Sequence, residues 1–180
     1  MDEISVLESV RSGNADAFAA IIKKYQIPIT RYLYRLTGDW ETAKDLAQDT
    51  FIQAYKSTLK TQFHSSFQSW LYKTATNNSH QYFRKHKPQK VTTLEVTKVE
   101  VNSSNKDCSD RIIENLIIRE TLLRLDKDKR TCLLLHFWEG LKYREIAEII
   151  GINEEAVRKR VTRGCQDFRK QYQIQTGECR

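Results

Sequence analysis

The stretch "LKYREIAEIIGINEEAVRKRVTRGCQDFRK", residues 141–170, decides the fold. Ile146, Ala147 and Ile150 recur at the spacing of one helix face. Gly151 stops that helix in a tight turn. Asn153 is a good N-cap for the next one, with Glu154 and Glu155 in its first turn, where negative charge is favourable. The second helix places Ala156, Val157, Val161 and Phe168 inward and leaves Arg158, Lys159, Arg160, Arg163 and Lys170 mainly on its other faces. Two short helices about a glycine turn, the second one basic, make a helix-turn-helix. Such a helix fits the major groove, its N-terminal residues reach base edges and its cations reach phosphates. The blander alternative is a helical hairpin with a solvated basic face.

Upstream, "RTCLLLHFWEG" reads as a buried helix stopping at Gly140. Ile112, Ile113, Leu116, Ile117, Leu122, Leu123 and Leu125 extend the apolar helical pattern back to about residue 111. Residues 89–110 differ: they are polar and end in a Ser/Asn/Asp cluster. Val96, Val99 and Val101 would suit a short strand, but a flexible tether is the favoured reading.

Residues 1–88 form another helical block. A first helix is expected to end near Gly13, with Asp16 capping a second that carries Ala17, Phe18, Ile21, Ile22 and Tyr25. Pro28 fits the first turn of a third helix, where a missing N–H is harmless. That helix has a stripe of Ile29, Tyr32, Leu33 and Leu36 and ends at Gly38. Asp39 caps a fourth helix running to about Lys56, and a last one runs from about Ser69 to before Pro88. The expected fold is all-α: two small helical domains, 1–88 and 111–180, joined by linker 89–110, the second domain a helix-turn-helix.

Only six Gly and two Pro argue against an all-β chain. Thirty Lys and Arg against 23 Asp and Glu, a net charge of +7, fit a polyanionic partner. The N-terminus "MDEISVLESV" lacks the pattern of a signal peptide, and no run is apolar enough for a membrane span, so no membrane insertion is expected. Cys108, Cys132, Cys165 and Cys179 are scattered, as are the four His; they read as reduced thiols of a cytoplasmic protein with no metal site. No nucleotide-binding loop or hydrolase elbow is present in the sequence, and neither an enzyme nor a cofactor is expected.

The helix "SWLYKTATNNSHQYFRKHK", 69–87, carries Lys73, Arg84, Lys85 and Lys87 and no acid. Asn77, Asn78, Ser79, His80 and Gln81 offer a polar ridge, interleaved with Trp70, Tyr72, Tyr82 and Phe83. Cations with aromatic faces suit unstacked bases, although most of these aromatics are expected in the core. The preceding loop "TQFHSSF", 61–67, has the residue types to hold an extruded base. By contrast, "DLAQDTFIQAYKS", 45–57, buries Leu46, Ala47, Phe51, Ala54 and Tyr55 and displays Asp45, Gln48, Asp49 and Gln53. A row of carboxylates and amides is odd on a basic nucleic-acid binder.

Three segments together resemble one family. "ETAKDLAQDTFIQAY" (41–55) resembles the acidic segment of the extracytoplasmic-function sigma factors, the minimal two-domain bacterial initiation factors. "FQSWLYKTATNNSHQYFRK" (67–85) resembles their promoter-melting helix, and residues 141–164 their C-terminal helix-turn-helix. Departures are Thr74, Asn78, Gln81, Asn153 and Gly164; Asn153 is an equivalent cap, and Gly164 softens its helix by about 1 kcal/mol relative to Ala.

The resemblance implies a factor that binds RNA polymerase core and promoter DNA. Asp45, Gln48, Asp49 and Gln53 would grip the clamp helices of the largest polymerase subunit. Phe63, His64 and Ser65 of the loop, with Trp70, Lys73, Asn77, Asn78, Gln81, Arg84 and Lys85, would engage and melt the −10 element. Arg144, Glu154, Glu155, Arg158, Lys159, Arg160 and Arg163 would read the −35 element. The family type also implies an anti-sigma partner. The chief rival is a stand-alone helix-turn-helix regulator. A small nuclease is a distant second, since Asp45 and Asp49 lack a third metal ligand.

Overall fold

The computed structural model describes residues 3–60, 66–86 and 106–177. All regular structure among them is helical: α1 (Glu3–Arg11), α2 (Phe18–Thr37), α3 (Trp40–Lys60), α4 (Phe67–Lys85), α5 (Lys106–Arg124), α6 (Lys127–Leu133), α7 (Tyr143–Ile150) and α8 (Glu154–Thr176).

In the first block α2, α3 and α4 pack together and α1 closes one side. The α2 stripe Ile21, Tyr25, Ile29, Tyr32, Leu33 and Leu36 is buried. It runs straight through Pro28, which lies inside one 20-residue helix rather than opening a new one. An interior proline costs about 3 kcal/mol; burial of this stripe, at 1.5–3 kcal/mol per large apolar side chain, outweighs it (about six such residues). The expected cap at Asp16 is likewise corrected. Asn14 accepts from the Ala17 N–H at 3.3 Å, opening a short 3₁₀ turn, Ala15–Ala17, that leads into α2. Gly38 ends α2 at φ 81°, and Asp39 caps α3 by accepting from the Thr42 N–H at 2.7 Å. That bond holds the Asp39 carboxyl below the usual carboxylate range.

In the second block Asp126 caps α6. A π-helical segment, Leu134–Trp138, prolongs it, with the Glu139 N–H reaching the Leu134 carbonyl at 3.2 Å. The wider turn leaves Phe137 and Trp138 exposed while Leu134 and Leu135 stay buried. The helix-turn-helix forms as its sequence requires. Gly151 ends α7 at φ 72°, and Asn153 Oδ1 accepts from the Ala156 N–H at 2.7 Å. Val157 and Val161 are buried, Phe168 partly so. α5 begins at Lys106, inside the segment read as a linker; residues 87–105, with the Val96–Val101 alternative, lie outside the described residues.

The two blocks are not apart. Their buried residues form one continuous apolar cluster, and α4 packs along α7 while α2 meets α5 and α6.

Candidate functional site

Asp45, Gln48, Asp49 and Gln53 stand on one exposed face of α3. Its opposite face, Ala43, Leu46, Ala47, Thr50, Phe51 and Ala54, is buried. Neither Asp45 nor Asp49 forms an ion pair or hydrogen bond with another described residue. Gln53 is the member with an internal bond: its Nε2 donates to Asn78 Oδ1 at 3.2 Å. Beside this face lies an apolar groove of about 540 Å³ between α2 and α3, lined by Phe18, Ile22, Phe51, Ile52 and Tyr55 among others.

On α4 the polar ridge divides in two. Lys73, Asn77, Gln81, Arg84 and Lys85 are exposed. The first four fall at i, i+4, i+8 and i+11, a single stripe. Trp70, one turn before Lys73, is half-buried and stacks on Phe67 at 6.2 Å between centroids. Asn78 belongs inside, which corrects its reading as a DNA contact. It is 8% exposed, and its Nδ2 donates to Thr50 Oγ1 at 3.1 Å. Thr76 and Ser79 are internal as well: Thr76 Oγ1 bonds Tyr32 OH at 2.7 Å, and Ser79 Oγ donates to the Thr76 carbonyl. Half of the acid-free ridge is thus an interhelical polar seam. Phe63, His64 and Ser65 lie outside the described residues.

On the second block Arg144, Glu154, Glu155, Arg158, Lys159 and Arg163 are exposed. Arg158 sits 3.4 Å from Glu154 and 3.7 Å from Glu155, and Lys159 lies 3.6 Å from Glu155. Arg144 pairs with Glu148 at 3.6 Å. These exposed pairs contribute little to stability, so the cations are free to exchange partners for phosphate. Arg160 differs. It is half-buried and faces α6, 3.3 Å from Asp128. An apolar groove of about 430 Å³ is lined by Leu133, Phe137, Trp138, Cys165, Phe168 and Tyr172 among others, with Arg169 at its wall.

Among the described residues no three His, Cys, Asp or Glu side chains group as a metal site, and no helix is long and apolar enough to cross a membrane.

Residues 21–89 match the family described as Sigma-70 region 2, and residues 115–168 that of Sigma-70, region 4. The chain is 31% identical over 175 residues to the ECF RNA polymerase sigma factor SigW of Bacillus subtilis, covering 92% of this chain and 94% of that protein. The chain belongs to the extracytoplasmic-function sigma factors. Other relatives of this sigma factor include RNA polymerase sigma factor YlaC of Bacillus subtilis, 30% identical over 86% of this chain and 91% of that one. The RNA polymerase sigma-H factor of Pseudomonas aeruginosa is 30% identical over 93% and 92%. Among solved structures, CnrH in complex with the cytosolic domain of CnrY superposes with a TM-score of 0.70, over 93% of this chain and 95% of that one at 18% identity. RpoE in complex with the anti-sigma factor NepR from Bartonella quintana gives 0.67, over 87% and 97%, also at 18% identity. Those two establish a shared fold.

What sequence reasoning missed lies between the blocks. Arg130, 9% exposed, donates from Nη1 to the Leu36 carbonyl at 2.5 Å, and burial lowers its pKa to about 10. Tyr72 OH donates to the Glu139 carboxylate; burial raises that carboxyl, against the lowering pull of Tyr72 and Arg35. These partners are 94 and 67 residues apart in the chain, so no local pattern announces them.

Proposed function

We propose that this sigma factor binds RNA polymerase core through the exposed α3 face of Asp45, Gln48 and Asp49, and directs initiation at promoters carrying −35 and −10 elements. The observation carrying the reading is that two carboxylates one turn apart on the exposed face of α3 have no ion-pair or hydrogen-bond partner among the described residues of an otherwise basic chain. A partner surface rich in Lys or Arg, such as the clamp helices of the polymerase, satisfies them.

Arg144 and the exposed face of α8 grip the −35 duplex. Phosphate contacts from Arg158, Lys159 and Arg163 set the register, while Glu154 and Glu155 at the helix start face base edges. The α4 stripe of Lys73, Asn77, Gln81 and Arg84 tracks the −10 backbone, and the loop before it receives an extruded base. Unstacking costs a few kcal/mol, and stacking on an aromatic ring with edge hydrogen bonds returns a similar amount. Strand opening is therefore driven by binding, and the chain needs no catalytic group or nucleotide hydrolysis of its own. The two apolar grooves suit amphipathic helices, which supports an anti-sigma partner such as the one bound to RpoE.

The test is transcription in vitro with core polymerase on a genomic fragment library. New start sites sharing −35 and −10 motifs are expected only when the protein is added. Charge reversal at Asp45 and Asp49 should abolish pull-down of core. A stand-alone regulator would give no new starts and would be indifferent to that reversal.

A further inference from the structure

We propose that Tyr143 is a positioning residue for −35 recognition: its ring holds the guanidinium of Arg158 at the front of the helix-turn-helix and leaves that group's N–H donors free for DNA. The inference rests on the assignment of α8 to the −35 duplex and deepens it.

Tyr143 opens α7, and the start of that helix is fixed. Glu145 Oε2 accepts from the Lys142 N–H at 2.8 Å, a cap that sets where the first turn begins. The tyrosine ring is half-buried and is supported from behind. His136 of the π-helical segment lies 4.6 Å away between centroids, the planes inclined by 39°. His136 is itself held, its Nδ1 donating to the Leu141 carbonyl at 3.0 Å. Leu141 is buried, with its own N–H on the Leu135 carbonyl at 3.0 Å. From α8, Arg158 brings its guanidinium carbon over the Tyr143 ring, 5.6 Å from the centroid. The π-helical turn, the first residue of α7 and the basic helix thus meet at one tyrosine.

Arg158 has competing partners on its own helix, Glu154 at 3.4 Å and Glu155 at 3.7 Å. Those carboxylates take up N–H donors in the guanidinium plane, the same donors that bind phosphate or a guanine edge. Both pairs are exposed and screened by salt. The ring contact differs in kind. A guanidinium is planar, with five donors around its edge and weakly hydrated faces that stack on aromatic rings. Tyr143 takes the face and DNA takes the edge, so the contact persists when Arg158 exchanges Glu154 and Glu155 for DNA. An arginine ordered beforehand also loses less rotamer freedom on binding. Tyr143 therefore acts through Arg158, with the cation as the DNA contact and the ring as its support.

The experiment uses holoenzyme assembled from the full chain and core polymerase, bound to promoter duplex with an intact or a scrambled −35 element. Tyr143→Leu should cut the preference for the intact element about threefold, and Tyr143→Phe, which keeps the ring, should restore it. Arg158→Ala should cost less in the Tyr143→Leu background than in the parent, because the two side chains act as one unit. A second readout needs no DNA. In the free, isotope-labelled chain the Arg158 Nε–Hε signal, identified by its loss in Arg158→Lys, should be displaced by the ring current. It should move toward the free-arginine position in Tyr143→Leu and stay displaced in Tyr143→Phe. Additive losses, or a parent signal already at the free-arginine position, would overturn the positioning role. A Tyr143→Phe protein as weak as Tyr143→Leu would overturn it too, by giving the work to the hydroxyl as a direct DNA contact. If Tyr143→Leu loses the parent's helical circular dichroism, the parent signal and Tyr143→Phe decide. Parent holoenzyme indifferent to scrambling would instead remove the −35 assignment, while a displaced signal still reported the contact.

Discussion

Asn78 donates from its Nδ2 to Thr50 Oγ1 at 3.1 Å, tying the middle of α4 to α3. Its Oδ1 accepts from Gln53, and Thr50 Oγ1 donates onward to the Leu46 carbonyl at 2.7 Å. Every polar atom of this buried group has a partner, so the α4–α3 crossing is fixed by a satisfied network. Asn78→Ala should therefore cost about 1–3 kcal/mol. At this chain length that lowers the thermal midpoint by some 2–4 °C per kcal/mol. Urea melts followed by circular dichroism measure it, and discrimination among −10 sequences should be unaffected.

The first turn of α8 makes a different kind of claim. Glu155 lies 3.7 Å from Arg158 and 3.6 Å from Lys159, so it competes with phosphate for both cations. Glu155→Gln should strengthen binding to arbitrary duplex and steepen its salt dependence. If the carboxylate accepts from a cytosine amino group, discrimination at one −35 position falls by about 1–3 kcal/mol. Binding titrations at two or more salt concentrations, on matched and mismatched duplexes, separate the two effects. Arg163→Ala should instead weaken binding to all sequences and reduce the salt slope by about 1.

How much of this was legible depended on sequence distance. The helix-turn-helix was readable because its signals are local: Gly151 reaches φ 72° where only glycine is at ease, and Asn153 bonds a donor three residues on. α2 was misdivided because Pro28 is a strong local signal, whereas the buried stripe that overrides it is a property of the packed block. Asn78 did carry a readable clue. It falls on the stripe of Leu71, Ala75 and Tyr82, at i, i+4, i+7 and i+11, a spacing that turns it inward. Arg130, Arg119 and Glu139 had none, since their partners stand on the other block.

Gly164 packs where α8 crosses α6: a Cβ there would meet Leu133 Cδ1 and Cγ at 3.2 Å. The glycine, which weakens an isolated helix by about 1 kcal/mol, is here a close-approach residue. Gly164→Ala should fall within about 1 kcal/mol of the parent, because the helix gain is offset by crowding against a buried Leu133. Gly164→Val, larger and β-branched, should destabilise the second block by about 1–3 kcal/mol. Chemical denaturation resolves the pair, and a clear gain from Ala would show that Leu133 yields freely.

His80 links stability to pH. It sits on α4, half-buried, facing Lys127 and Asp128 of α6 and Arg160 of α8. Its Nε2 is buried without a hydrogen-bond partner among the described residues. Burial, reinforced by Lys127 and Arg160 and opposed by Asp128, lowers its pKa below the ordinary 6.5. A ring held below its free value binds fewer protons folded than unfolded, so stability rises with pH through that window. It is fully present above 6.5 and is lost as pH falls from 6.5 toward the depressed value. Thermal midpoints measured from pH 7.5 to 5.5 should therefore decline, and the decline should be shallower in His80→Gln. A parent whose midpoint is flat over this range would mean that His80 stays neutral, or stays solvated, throughout.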